Sequence, residues 1–386
     1  MKSIQFRREN SIIMFDCIIV GAGPAGGSAA YHLAKRGRSV LVLEKESLPR
    51  YKPCGGGVSP AIAQWFDFDF TPAISMKVDR LRYTWQGEDP VEVQLETPEP
   101  MWMVRRDIFD QFLIDQAKQQ GAEVRDNSAV TQIAFKGDRW QVTTATETLE
   151  AKYLIAADGA KGPMAKMLGF KERDRQPAAA VEITSPNPNA LIQFDFGRIK
   201  KGYIWNFPKA DGYSLSIANL QGGTKEKLDQ ILTEYAQANG FPLSTQVHQD
   251  FLCLWEKEQK LHTQNAILAG EAACVVDPLT AEGIRPSMFS GVKAAESIDA
   301  ALAGTSNALE KYTQVMNEEW GGQMVWASRV SGLFYRIPKI AYKVGIKRPS
   351  ATQRMVEVLC GETSYADIAD KAIDRLKKNL IPGFGG

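Results

Sequence analysis

The sequence predicts an α/β protein: a strand–helix–strand core, interrupted by an inserted antiparallel β-sheet and followed by a helical C-terminal region. Three observations predict it. The run FDCIIV (15–20) is almost wholly apolar, as a strand covered on both faces must be. It leads through glycines into a helical stretch ending at Lys35 and then to a second apolar strand, RSVLVL (38–43). RLRYTW (80–85) and VEVQLE (91–96) instead alternate along the chain, the period of a sheet whose two faces differ. Apolar strands return at KYLIAADG (152–159) and AILAG (266–270), so the core is assembled from pieces separated by β-rich insertions.

Each element has its own justification. Residues 1–14 carry a short apolar patch and no small-residue cleavage site, and read as an extension rather than a secretory signal. Gly21, Gly23 and Gly26 follow the first strand as G-x-G-x-x-G, with Ala25 in the same turn. There, glycine permits a tight turn, close approach of a pyrophosphate and close helix–strand packing. Glu44 ends the second strand, where a carboxylate accepts ribose hydroxyls and repels a 2′-phosphate; Lys45 follows it. The core is therefore expected to be Rossmann-like and to bind a dinucleotide. Residues 49–60 form a Pro- and Gly-rich loop, and Arg106–Gln120 reads as an amphipathic helix closed by Gly121. WQVTTA and TLEA form a hairpin leading into the strand before Asp158. Residues 178–219 return to strand-like alternation, Lys225–Asn239 is helical, and a helix follows Pro286.

Composition removes whole classes of function. With 46 basic and 45 acidic residues the net charge is +1, which gives no reason to expect a nucleic-acid partner. Cysteines 17, 54, 253, 274 and 360 are scattered, odd in number and include no Cys-x-x-Cys pair. This argues against a disulfide framework and a zinc site, and for a reducing, cytoplasmic compartment. His32, His248 and His262 lie far apart, so no multi-histidine metal centre is expected. No apolar run is long enough for a transmembrane helix.

Beyond the glycine turn, the chain resembles the large flavoprotein group that includes aromatic hydroxylases, halogenases and geranylgeranyl reductases. Arg106, in RRDIFD, matches an arginine that helps hold the cofactor. Asp158–Gly159 resembles the group's Asp-Gly fingerprint, with Gly162 and Ala165 in place of its serine and arginine. GEAACVVDPLTAEGI (270–284) resembles the Gly-Asp segment along the flavin's ribityl chain: Gly270 matches, Glu271 replaces aspartate, and Pro278, Gly283 and Ile284 match the lead into the next helix. The resemblance implies FAD on a fold of the glutathione reductase/p-hydroxybenzoate hydroxylase type. It divides the chain into an FAD-binding domain (15–75, 100–165 and 265–305), a β-rich substrate domain (76–99 and 166–264) and a helical region (306–386).

Two segments narrow the reaction. RYKPCGGGVSP (50–60) is similar to the Pro-Cys-Gly-Gly loop of geranylgeranyl reductases, and GYIWNFPK (202–209) to their Tyr-x-Trp-x-Phe-Pro motif. Gly55 and Gly56 would let the loop pass close to a flavin ring; Tyr203, Trp205 and Phe207 alternate along a strand and share one face, suited to an isoprenoid chain. Cys54 is the candidate catalytic thiol, with a small buried hydrophobe as its other reading. The implied activity is saturation of a polyprenyl chain by flavin hydride transfer plus protonation. An external reductant, either NAD(P)H or reduced ferredoxin, would reduce the flavin, and because a single glycine fingerprint is present it would meet the flavin transiently rather than occupy a Rossmann domain of its own. A monooxygenase on an aromatic or lipid substrate, a halogenase, a lycopene-cyclase-like enzyme and a non-catalytic flavin- or lipid-binding protein stay open. Finally, Arg329, Arg336, Lys339, Lys343, Lys347, Arg348 and Arg354 occur with no acidic residue among them, so the segment reads either as a contact for an anionic membrane surface or as a solvated basic face.

Overall fold

The computed structural model describes residues 14–185, 189–222, 226–242 and 246–368. Its core is a sheet in which strand Met14–Val20 lies between Thr148–Ala156 and Val40–Leu43, parallel to both, in register Cys17↔Tyr153 and Cys17↔Val40. Glu123–Arg125 and Ala266–Leu268 extend it in parallel on either side. The continuous apolar runs follow from this central position: Ile18, Ile19, Leu41, Val42, Leu154 and Ile155 are buried. The hairpin strands Gln132–Lys136 and Arg139–Thr143 pair antiparallel at the side of Thr148–Ala156.

Helix Pro24–Lys35 starts at the glycine turn and packs on Ile284–Leu302. Only glycine fits at two points: a Cβ on Gly26 would lie 1.9 Å from the Gly21 carbonyl oxygen of the turn, and one on Gly291, where the two helices meet, would lie 2.2 Å from the Ala25 carbonyl oxygen. The third glycine of the fingerprint therefore does the packing work expected of it.

The second sheet runs in the order His248–Leu252, Gln176–Thr184, Gly212–Asn219, Gly202–Lys209, Ile192–Phe196, Arg80–Trp85, Glu88–Gln94. Five of the six pairings along this order are antiparallel, while Ile192–Phe196 and Arg80–Trp85 run parallel. The sheet is thus not purely antiparallel, because a hairpin from early in the chain docks beside strands from its middle. Helix Leu228–Ala238 covers one face; the other turns toward the cavity and the C-terminal helices. Gly322–Arg336 and Pro349–Leu359 belong to those helices, and Phe334 and Tyr342 pack on Phe196.

The cysteine expectation needs correction. Cys253 and Cys274 form a disulfide, S–S 2.16 Å. Their spacing matches no motif, but a parallel bridge between Leu254 and Val276 brings the two segments together, with the cysteine Cα atoms 4.4 Å apart. The cysteine pattern therefore gives no support for a reducing compartment. Cys17, Cys54 and Cys360 are free.

Candidate active site

A cavity of about 470 Å³ runs between the two sheets. One end is polar and formed by the glycine turn. Gly21 holds φ +107° there, and a Cβ on it would come within 2.3 Å of the Ala157 carbonyl oxygen. Gly23, Ala25, Glu44 and Lys45 line this end, whereas Gly26 lies behind it against Gly21.

Glu44 is 4% exposed and accepts the N–H of Ala22 at 2.9 Å, which ties the strand end to the turn. It also pairs with Arg50 at 3.3 Å; Arg50 reaches Asp110 at 3.1 Å, and Asp110 accepts both Nε and Nη2 of Arg106 at 2.8 Å. This buried chain of two cations and two carboxylates fixes Arg106 at the cavity wall. Neither Arg50 nor Asp110 stood out in the sequence, although Asp110 lies one helical turn beyond Arg106, a spacing that signals such a pair.

Asp158, Gly159, Gly270 and Glu271 line the middle of the cavity. Asp158 accepts the N–H of Met164 through Oδ2 at 2.9 Å, while its Oδ1 is buried without a partner. Burial pushes the Asp158 carboxyl up to about 6, and burial also raises that of Glu271. An orphaned carboxylate oxygen beside a glycine turn that a Cβ would block matches the needs of a long dinucleotide carrying hydroxyls. The residues present therefore fit FAD. Gly283 and Ile284 line the next stretch, at the start of helix Ile284–Leu302. Pro278 lies off the cavity wall. Its neighbour Asp277, absent from the sequence-based candidates, shapes this turn by accepting the N–H of Leu279 at 2.7 Å and the hydroxyl of Tyr365 at 2.7 Å.

At the far end the two motifs that narrowed the reaction meet. A Cβ on Gly55 would lie 2.3 Å from Trp205 Nε1, and one on Gly57 would lie 2.7 Å from Phe207 Cε2. Cys54, Gly55, Gly56, Trp205 and Phe207 all line the cavity. Tyr203 packs deeper in the sheet and donates to the Leu279 carbonyl at 3.3 Å. The loop is held from the strand side: Ser214 Oγ donates to the Cys54 carbonyl at 2.7 Å, Lys209 Nζ to the Gly55 carbonyl, and the Val104 N–H to the Gly56 carbonyl at 2.7 Å. Lys209 is buried, and burial lowers its ammonium to about 8 against the pull of nearby Glu182. It directly follows the aromatic motif, yet a lone lysine at a strand end gives no sequence sign of burial. Beyond the loop the wall becomes apolar, with Leu81, Met103, Ile192, Phe194, Val356 and Leu359.

A dinucleotide cradle opening into an apolar chamber at a thiol-bearing glycine loop defines an FAD-dependent oxidoreductase. A family model for an FAD binding domain matches residues 14–194. A protein of Methanosarcina barkeri is 32% identical over 298 residues, covering 76% of this chain and 76% of the relative. A digeranylgeranylglycerophospholipid reductase of Methanococcus vannielii is 28% identical over 334 residues, covering 79% and 82%. The crystal structure of a geranylgeranyl bacteriochlorophyll reductase-like protein from Thermoplasma acidophilum superposes with a TM-score of 0.75 at 22% identity, covering 90% of this chain and 91% of that one. The chain belongs to the geranylgeranyl reductase family of FAD-dependent oxidoreductases.

Proposed function

We propose that this protein saturates carbon–carbon double bonds in the polyprenyl chain of a membrane lipid, with an archaeal-type isoprenoid glycerophospholipid as the nearest model for its substrate. The observation that carries the reading is the packing of the Cys54–Gly57 loop on Trp205 and Phe207, at the border between the polar and apolar halves of one cavity. FAD held by this cradle would supply the hydride. The chain's residues supply position and proton. The apolar wall holds an extended alkyl chain and excludes water, and the glycine loop leaves room for the alkene to lie in contact with the cofactor.

An isolated alkene accepting hydride at one carbon needs a proton at the other, and the Cys54 thiol, which lines the cavity with Gly56 N–H donating to its sulfur at 3.4 Å, is the group proposed to supply it. The cradle has one glycine fingerprint, so the reductant, a reduced nicotinamide or a reduced ferredoxin, meets the cofactor transiently. Gly21, Gly23, Ala25, Glu44, Lys45, Arg106, Asp158, Gly159, Gly270, Glu271, Gly283 and Ile284 are proposed to hold FAD. Cellular lipids compared by mass spectrometry with and without expression of the protein test the proposal. Mass gains in steps of two hydrogens on polyprenyl lipids support it; gain of an oxygen atom assigns the chain to monooxygenation instead.

A further inference from the structure

The outer side of the C-terminal helices is apolar where it should not be. Val330, Leu333, Ile337, Ile340 and Val344 are 44, 63, 44, 57 and 50% exposed. They recur at alternating spacings of three and four residues, Val330 and Leu333 on helix Gly322–Arg336, Ile337 at the break that follows it, and Ile340 and Val344 on the turns after Pro338. The inner side of Gly322–Arg336 is meanwhile satisfied by burial of Met324, Ala327 and Ser331 and by Phe334 on Phe196. Five large aliphatic side chains exposed along one short segment mark an interaction surface rather than the scattered exposure of ordinary surfaces.

Charge says what it fits. Arg336, Lys339 and Lys343 are exposed beside the stripe and have no ion-pair partner among the described residues, and no acidic residue occurs from 329 to 354. Lys347 is different, since it pairs with Asp89 at 2.6 Å, and Arg329 lies over the Trp326 ring. Place in the fold agrees: Val356, Leu359 and Cys360, in the same helical layer, wall the apolar end of the cavity. None of the helices among the described residues is long and apolar enough to cross a membrane. We propose that this stripe lies in the headgroup–acyl boundary of an anionic bilayer, with Arg336, Lys339 and Lys343 on lipid phosphates, so that the cavity receives its chain from the membrane rather than from water. The inference deepens the lipid-reductase reading, but its test reads binding alone, so failure of one is distinct from failure of the other.

The full-length, FAD-loaded protein is sedimented with substrate-free phosphatidylcholine vesicles, with and without phosphatidylglycerol. The wild type is expected to bind the anionic vesicles more tightly than the neutral ones. Arg336→Gln/Lys339→Gln/Lys343→Gln should lose on the order of a hundredfold in binding to anionic vesicles. Leu333→Ser/Ile340→Ser should lose binding to both kinds while keeping its flavin spectrum and melting temperature. Wild-type protein that stays in the supernatant, or variants that bind equally well, would overturn the proposal. So would a wild-type dimer that Leu333→Ser/Ile340→Ser converts to a monomer without any vesicle binding, which would give the stripe to a second copy of the chain.

Discussion

Gly55→Ala probes the junction on which the functional reading turns. Gly55 does not hold a positive φ, so alanine is conformationally allowed and only space is at issue. The new methyl carbon would lie 2.3 Å from Trp205 Nε1, 2.8 Å from its Cδ1 and 3.1 Å from Phe207 Cδ2. Against an ordinary contact of about 3.5 Å, the nearest of these is short by about 1.2 Å. The loop cannot retreat cheaply, because Ser214, Lys209 and Val104 hold the carbonyls of Cys54, Gly55 and Gly56. The indole must therefore swing into the cavity, at the usual overpacking cost of about 1–3 kcal/mol. If that cost falls on the alkene-bound transition state, reoxidation of reduced flavin by polyprenyl substrate should slow by roughly 5- to 150-fold. Stopped-flow absorbance under anaerobic conditions measures it, with reduction by the donor as the internal control. Trp205→Phe, which removes the obstructing ring edge, should make the same alanine nearly harmless. Gly55→Ala that reoxidises at the wild-type rate, or a loss that persists undiminished in the Trp205→Phe background, would refute the reasoning.

Other outcomes follow from the same geometry. Cys54→Ala should slow anaerobic flavin reoxidation by substrate while leaving reduction by the donor nearly unchanged; normal turnover would make the cysteine a packing residue. Glu44→Ala should weaken FAD retention, measured by equilibrium dialysis, because it removes the acceptor of the Ala22 N–H and strips Arg50 of one of its two carboxylates; charge-assisted hydrogen bonds of this kind are worth about 1.5–3 kcal/mol each. Unchanged retention would take Glu44 out of the cradle. Asp158→Asn should stabilise the apoprotein in a pH-dependent way. Burial raises the carboxyl from 3.8 to about 6, so its contribution to stability is fully present below 3.8 and lost as pH rises through 6. Removing the charge should then gain at most about 3 kcal/mol at pH 8 and about half of that at pH 5, read from denaturant melts. A gain independent of pH would contradict the assignment.

The sequence made the cradle legible because its demands are local. Gly21, Gly23 and Gly26 lie within one turn, and the structure gives Gly21 and Gly26 a close contact or a backbone conformation that explains them, whereas a Cβ on Gly23 would meet only ordinary contacts with Arg50 and Arg106. Helix Arg106–Gln119 and the strands around Asp158 and Ile267 were visible as periodicity for the same reason. The meeting of Gly55 with Trp205 was less direct. No pattern connects positions so far apart, and only resemblance to a family placed both in one site. Long-range features were silent. Cys253 and Cys274 are joined through a parallel bridge that neither segment announces, and the partners of Arg106 include Asp110, visible by helical spacing, but reach Arg50 only through folding of the 49–57 loop. Burial of Lys209 depends on a loop and a sheet that pack from different parts of the chain. In the basic segment, charge was readable from sequence, but the pairing of Lys347 with Asp89 was not.

The most direct test of the central claim is anaerobic: the protein's flavin is reduced with a stoichiometric donor, mixed with a polyprenyl glycerophospholipid in the strict absence of oxygen, and followed by absorbance with mass analysis of the lipid. Saturation at the Cys54 loop predicts that flavin reoxidation tracks lipid concentration and that each reoxidation adds two hydrogens and no oxygen. Flavin that stays reduced until oxygen is admitted, with an oxygen atom then appearing in the product, would contradict it.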